Sequence, residues 1–173
     1  LERAVDCFED ALALQPDSAE ALAALERLYG QLERWELMRD VMVRRADTLT
    51  NPTEQVDVLL SAAVLSAGPL GDADGAIRFY RRVVDIDLTS VPAVEELIRL
   101  YEATEQWHDM LEMIDLRLEQ ADDDATRRAL QVKAASVLEG RLGDQEAVSY
   151  PHLRAHETVL ELVCRLLLEK KNT

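Results

Sequence analysis

The chain has 173 residues, of which 48% are hydrophobic and only 5% are aromatic. So large an apolar fraction excludes a disordered chain, and the scarcity of aromatic residues disfavours a fold rich in strands. The formal net charge of −15 would repel phosphate groups, which disfavours nucleic acids and anionic membranes and leaves basic or neutral proteins as partners.

Apolar residues recur with helical spacing along the chain, and turn-forming residues interrupt them at intervals. The pattern predicts α-helices at about 2–14, 18–31, 34–49, 53–67, 73–87, 90–103, 106–121 and 124–141. Ser18 and Ser90 are predicted N-caps, because a serine hydroxyl accepts hydrogen bonds from unpaired amides at a helix start. The connections are short, so consecutive helices should be antiparallel neighbours. No apolar run is long enough to predict a membrane-spanning helix.

Residues 1–72 and 73–144 are two copies of one pattern. Compared at an offset of 72 residues, the copies share 17 identical positions, whereas unrelated sequences share about one position in fifteen. A fixed period of this kind indicates a stacked array, in which each unit buries its apolar face on its neighbour. Each copy contains four predicted helices, and therefore two helical hairpins of about 36 residues each.

One motif recurs in the first helix of each copy: a small residue, an aromatic residue four positions on, a small residue and then a proline. It reads Ala4, Phe8, Ala11 and Pro16, and more loosely Ala76, Tyr80, Val83 and Leu88. A Gly-Asp turn and a Trp-type turn alternate between hairpins, as Glu33-Arg34-Trp35, Gly71-Asp72, Glu105-Gln106-Trp107 and Gly143-Asp144. These motifs resemble the tetratricopeptide repeat (TPR) family, in the form found in long bacterial repeat proteins. Over residues 1–147 the resemblance implies an all-α, TPR-like α-solenoid of stacked antiparallel hairpins, with about eight native helices.

The repeat pattern stops after Ala147, and residues 148–173 resemble a translated sequencing adaptor. One end of a transposase adaptor translates to Ser-Tyr-Thr-His-Leu-Arg-Ala-His-Glu, which matches residues 149–157 except at Pro151. Its far end translates to Leu-Val-Cys-Arg-Leu-Leu-Leu-Glu-Lys-Lys, which matches residues 162–171. We therefore interpret this segment as an artefact and not a domain, and we expect the native protein to be a longer array. The spacing of His152 and His156 then carries no metal-site signal.

No nucleophile motif, phosphate-binding loop or paired metal-ligand spacing occurs in residues 1–147. We therefore expect a non-catalytic protein, without catalytic, metal-binding or cofactor-binding residues. Cys7 is predicted to be a small buried hydrophobe on the apolar face of the first helix. Trp35 and Trp107 are predicted to pack in the core between hairpins.

The resemblance implies a protein–protein interaction scaffold, in which the first helix of each hairpin lines a concave face that binds a peptide or helix. The family pattern gives these candidate groove-lining residues: Glu20, Arg27, Gln31, Ser61, Glu95, Arg99, Glu102 and Lys133. Arg27 and Arg99 occupy equivalent positions, where an arginine binds either a carboxylate or carbonyl of the partner or a nearby acid of its own helix.

Two other functions remain open from the sequence. The chain is also compatible with the regulatory repeat region of a larger enzyme, such as a kinase, and with a structural section of an envelope or motility assembly. The cytoplasm is the favoured location, and the periplasm remains open. The identity of the protein or peptide partner does not follow from the sequence.

Overall fold

A computed structural model describes residues 1–138. These residues form α-helices and no strand: α1 Glu2–Leu14, α2 Ala19–Gln31, α3 Trp35–Thr48, α4 Pro52–Ala67, α5 Ala73–Ile86, α6 Val91–Ala103, α7 Trp107–Glu119 and α8 Asp124–Val137. The all-α prediction is confirmed, and each helix begins within one residue of its predicted start. The predicted end of α8, the Gly143-Asp144 turn and the adaptor-like segment 148–173 lie outside the described residues.

The chain divides into two compact units, residues 1–100 and the residues from Tyr101 onward. In the first unit α1 packs on α2, α2 on α3, α3 on α4 and α4 on α5. The turns between these helices are three to five residues long, so the neighbours must be antiparallel, as predicted. In the second unit α7 packs on α8.

The core of the first unit is built from the apolar faces of its helices. One buried cluster joins residues of α1, α2 and α3: Val5, Leu12, Ala21, Leu22, Leu25, Tyr29 and Val41. Full burial of a leucine such as Leu22 contributes about 1.5–3 kcal/mol. Farther along, Ala62, Ala63 and Ala76 are fully buried. Such small side chains let α4 and α5 approach closely.

Side chains cap several helix starts within residues 1–138. The acceptors are Ser18 for the Ala21 amide, Asn51 for Thr53, Asp72 for Gly75 and Asp123 for Thr126. The predicted cap at Ser18 is thus confirmed, at 3.4 Å. At Ser90 the backbone carbonyl accepts from Ala93 and Val94, which begins α6 in the predicted place.

The two copies share an unusual turn. Glu33 and Glu105, at offset 72, have φ angles of 56° and 57°, in the left-handed region. After each, a backbone amide donates to a carbonyl five residues back, from Arg34 to Tyr29 and from Gln106 to Tyr101, both at 2.9 Å. Gly71, with φ 61°, takes the same place before α5. The turns at Glu33 and Glu105, aligned at an offset of 72, therefore share one backbone geometry.

One burial prediction was wrong, and a second holds only in part. Cys7 is exposed, because α1 turns Val5 and Leu12 towards α2 and no described residue covers the side on which Cys7 lies. Trp35 and Trp107 are only partly buried. Each is the first residue of its helix, at an end of the helix and not in its buried middle.

Candidate binding surface

Three of the candidate groove residues lie along one side of α2. Glu20, Arg27 and Gln31 are all exposed, and spacings of seven and four residues place them on the same helix face. Ser61 on α4 is exposed too, and its hydroxyl donates to the Asp57 carbonyl of its own helix at 2.9 Å. In the first unit the predicted residues therefore form a polar stripe on α2 and an isolated hydroxyl on α4.

Arg27 and Gln31 border an open cleft between α1 and α2. A separate cleft of about 330 Å³ is lined by residues of α1, α2 and α3. The cleft beside Arg27 has a volume of about 240 Å³. Its other lining residues are apolar: Ala4, Phe8, Ala24 and Leu28. Among residues 1–138, Arg27 makes no hydrogen bond or ion pair. An exposed guanidinium therefore stands beside apolar surface with its donors available to a ligand.

Arg99, the counterpart of Arg27, is engaged within its own helix. Its Nε and Nη2 atoms donate to Glu96 at 2.9 and 2.7 Å. The hydrogen bond to Glu96 and the charge of that carboxylate raise the pKa of Arg99. Position 24, the counterpart of Glu96, is an alanine, so Arg27 lacks this partner. Of the two alternatives open from the sequence, Arg99 adopts the intrahelical pair.

The second unit brings two more candidate residues together. Lys133 on α8 donates to Glu102 in the last turn of α6, at 2.8 Å. The Lys133 side chain is 36% exposed and that of Glu102 is 52% exposed, so water screens the pair and it contributes at most about 1 kcal/mol. Glu95, the remaining candidate, is exposed on α6.

Sequence reasoning missed an ion pair between α2 and α3. Arg45 Nε lies 3.2 Å from Glu26 Oε2, and both side chains are mostly buried. Burial raises the pKa of Glu26, and the charge of Arg45 only partly opposes this. The pair lies between packed helices, so its role is structural. Its only sequence signal is a charged residue on the otherwise apolar face of α2.

A second contact missed from the sequence joins α1 to α2. The Tyr29 hydroxyl donates to Glu9, beside the cleft that faces α3. Burial, together with the hydrogen bond and charge of Glu9, raises the pKa of Tyr29 to about 12. Tyr29 is only 3% exposed, so this hydroxyl is a buried group satisfied by an acid of the neighbouring helix.

No group of three or more His, Cys, Asp or Glu side chains within residues 1–138 is placed to hold a metal ion. No helix in that part of the chain is long and apolar enough to cross a membrane.

Comparison with solved structures finds other helical-repeat proteins. PilF of Pseudomonas aeruginosa matches with a TM-score of 0.51 and 16% identity, over 87% of this chain and 72% of its own. YrrB, described as a TPR protein with an unusual peptide-binding site, gives 0.49 and 14%, over 82% and 79%. MamA gives 0.49 and 14%, over 79% and 76%. No protein-family model and no curated protein matches the chain.

The helical hairpins, the repeated left-handed turn and the likeness to PilF define the class of this protein. It is an all-α protein with a TPR-like helical-repeat fold, as the motifs around Ala4 and Ala76 predict. At identities this low, the likeness establishes the fold alone.

Proposed function

We propose that the chain is a protein-interaction scaffold that binds a peptide or helix along the exposed side of α2 and α4, where Arg27 receives a carboxylate of the partner. The observation that carries the proposal is the contrast between two equivalent arginines. Arg99 is held by Glu96, whereas Arg27 is exposed and makes no ion pair among residues 1–138.

The surroundings of Arg27 suit a partner that presents an apolar group beside a carboxylate. The apolar cleft beside it is lined by Phe8 and Leu28, which offers burial to an aliphatic or aromatic group. Gln31, one turn farther along α2, adds a donor and an acceptor for a peptide backbone. A guanidinium forms two parallel hydrogen bonds with a carboxylate, which fixes the orientation of the partner.

The net charge of −15 sets the wider electrostatic preference. The acidic surface attracts a partner that is basic overall and does not repel a neutral one, while one acidic side chain or a terminal carboxylate binds Arg27. The polar stripe on α2 thus selects an acidic group of the partner, and the overall charge selects its net basic character. This combination favours a peptide that carries one acid among basic residues.

A display library of random peptides, selected against the full chain, tests the proposal. We expect the selected peptides to be enriched in an acidic residue and to bind Arg27→Glu about tenfold more weakly, a loss of about 1.4 kcal/mol. Arg78→Glu is the matched control, since Arg78 is another exposed arginine without an ion pair in residues 1–138, on α5. Failure to select any peptide, or equal loss in both variants, contradicts the proposal.

A further inference from the structure

An open cleft of about 330 Å³ lies between α1 and α3, with α2 beneath it. Both helices pack on α2, and polar contacts join them at each end. Arg34, which precedes α3, pairs with Glu2 at the start of α1 at 2.8 Å. Near the other end of α3, Arg44 donates to the Pro16 carbonyl, just after α1, at 3.0 Å. Both walls of this α1–α3 cleft are therefore described helices of the first unit, linked to each other at both ends.

The α1–α3 cleft has an apolar floor and an exposed leucine on its wall. The buried floor consists of Leu12, Leu25 and Val41. On α3, Leu37 lines the cleft and is 42% exposed, whereas its counterpart at an offset of 72 is Asp109. The repeat therefore does not require an apolar side chain at this position. A concave apolar surface of this kind buries the apolar part of a ligand.

Two carboxylates stand on opposite walls of the α1–α3 cleft, Glu9 on α1 and Asp40 on α3, and both side chains are exposed. The Tyr29 hydroxyl donates to Glu9 Oε1 from a side chain that is 3% exposed, so a buried group holds this carboxylate in place. Asp40 Oδ1 accepts from the adjacent Arg39 at 3.3 Å. Among residues 1–138, the second oxygen of each acid has no hydrogen-bond partner. Each acid can therefore accept from a cation.

We infer that the α1–α3 cleft binds a lysine side chain of a partner protein, with its aliphatic stem on Leu37 and Val41 and its ammonium group between Glu9 and Asp40. A lysine buries its stem on apolar surface while its charged end stays at the rim. Its three donors can turn towards carboxylates of two different helices, whereas the planar fork of a guanidinium matches a single carboxylate. The net charge of −15 attracts such a basic partner.

The lysine site is separate from the carboxylate site proposed at Arg27. Leu25 and Tyr29 line the α1–α3 cleft and lie two positions before and after Arg27. Two positions correspond to about 200° around a helix, so Arg27 lies on the other side of α2, where it borders the cleft of about 240 Å³. Lysine binding therefore does not rest on the function proposed for Arg27, and each site can fail without the other.

The test is fluorescence anisotropy of the full chain with a labelled, end-capped peptide that carries one lysine between two leucines. We expect saturable binding. Norleucine in place of the lysine keeps the stem and removes the charge, and diaminobutyric acid keeps the charge and shortens the stem. Each replacement should weaken binding at least about fivefold, and arginine should weaken it at least about threefold.

Neutral amides in place of the two acids test the cleft from the side of the protein. We expect Asp40→Asn and Glu9→Gln each to weaken binding at least about fivefold, with unchanged helical circular dichroism because both side chains are exposed. Glu36→Gln is the matched control, since Glu36 is exposed on α3 outside the cleft and its loss changes the net charge equally. This control and Arg27→Glu should each bind within about twofold of the wild type.

Four outcomes overturn the inference. The first is an absence of saturable binding to the wild-type chain. The second is an equal loss in Asp40→Asn and Glu36→Gln, which would mean that overall charge attracts the peptide. The third is binding of the norleucine or arginine peptide as tight as that of the lysine peptide. The fourth is a loss in Arg27→Glu as large as in Asp40→Asn, which would assign the peptide to the cleft beside Arg27.

Discussion

Glu33 and Glu105 adopt a left-handed backbone conformation that normally favours glycine. Both residues have φ near 57°, where a side chain with a Cβ costs about 1–2 kcal/mol relative to right-handed backbone. Gly71 takes the same conformation without that cost, and a Cβ built there meets nothing within 4 Å. Backbone hydrogen bonds from the amides of Arg34 and Gln106 stabilise the two turns although glutamate occupies the left-handed position.

Glycine at these turns should stabilise the protein. We expect Glu33→Gly and Glu105→Gly each to raise the free energy of unfolding by about 0.5–1 kcal/mol, and Gly71→Ala to lower it by about 1 kcal/mol. The midpoints of urea unfolding curves measure the change in stability, provided that the dependence on urea concentration stays the same. Arg78→Gly, in an exposed helix interior, is the control and should lower stability by up to about 1 kcal/mol. A loss of stability in both glutamate variants would contradict this account.

Glu26 makes stability depend on pH. Burial raises its pKa from 4.5, so its contribution to stability is fully present below pH 4.5 and is lost as pH rises through the raised value. We expect the wild type to lose stability relative to Glu26→Gln between pH 4 and pH 7, measured by urea unfolding. Glu20→Gln, on the exposed side of α2, is the control. The opposite trend would mean that attraction by Arg45 outweighs desolvation.

At the level of helices, α3 and α5 are joined through the start of α5. Asp72 Oδ1 accepts from the Gly75 amide at 2.8 Å, and its Oδ2 pairs with Arg39 of α3 at 3.0 Å. A Cβ at position 75 would lie 2.2 Å from Asp72 Oδ2, so glycine there leaves room for the cap. One carboxylate thus begins a helix and links it to a neighbour.

Loss of this carboxylate should cost more than loss of the neighbouring ion pair. We expect Asp72→Ala to lower the free energy of unfolding by about 1–2 kcal/mol, since it removes a cap and an ion pair. Asp72→Asn keeps the cap and should cost less than about 1 kcal/mol. Asp47→Ala, which removes only the exposed pair with Arg82, is the control. Equal losses in the alanine variants at 72 and 47 would show that the cap contributes nothing.

At the level of the whole molecule, the repeat period and the adaptor-like segment predict that residues 148–173 contribute nothing to the fold of residues 1–147. We expect a chain ending at Ala147 to keep its helical circular dichroism and to unfold within about 0.5 kcal/mol of the 173-residue chain, the usual range for surface changes. A chain ending at Asp122 is the control, since it lacks α8, which packs on α7. A loss above about 1 kcal/mol on removal of residues 148–173 would contradict the artefact interpretation.

Only part of the candidate surface could be predicted from the sequence. The resemblance to the repeat family implied that Glu20, Arg27 and Gln31 line the groove, and the structure shows all three as exposed on α2. The pairing of Arg99 with Glu96 stood beside partner binding as an alternative, and in the structure Arg99 contacts Glu96. Glu26–Arg45 and Tyr29–Glu9 were not foreseen, because each joins residues of different helices.

Helices and turns follow from the sequence by itself, because local spacing, capping side chains and backbone preferences act over a few residues. That is why the starts of all eight described helices lie within one residue of prediction and why offset-72 turns share one geometry. Burial is decided only by tertiary structure. Phe8 and Tyr80 are equivalent in sequence, yet Phe8 is only partly buried and Tyr80 is 3% exposed, so exposure depends on what packs against each side chain.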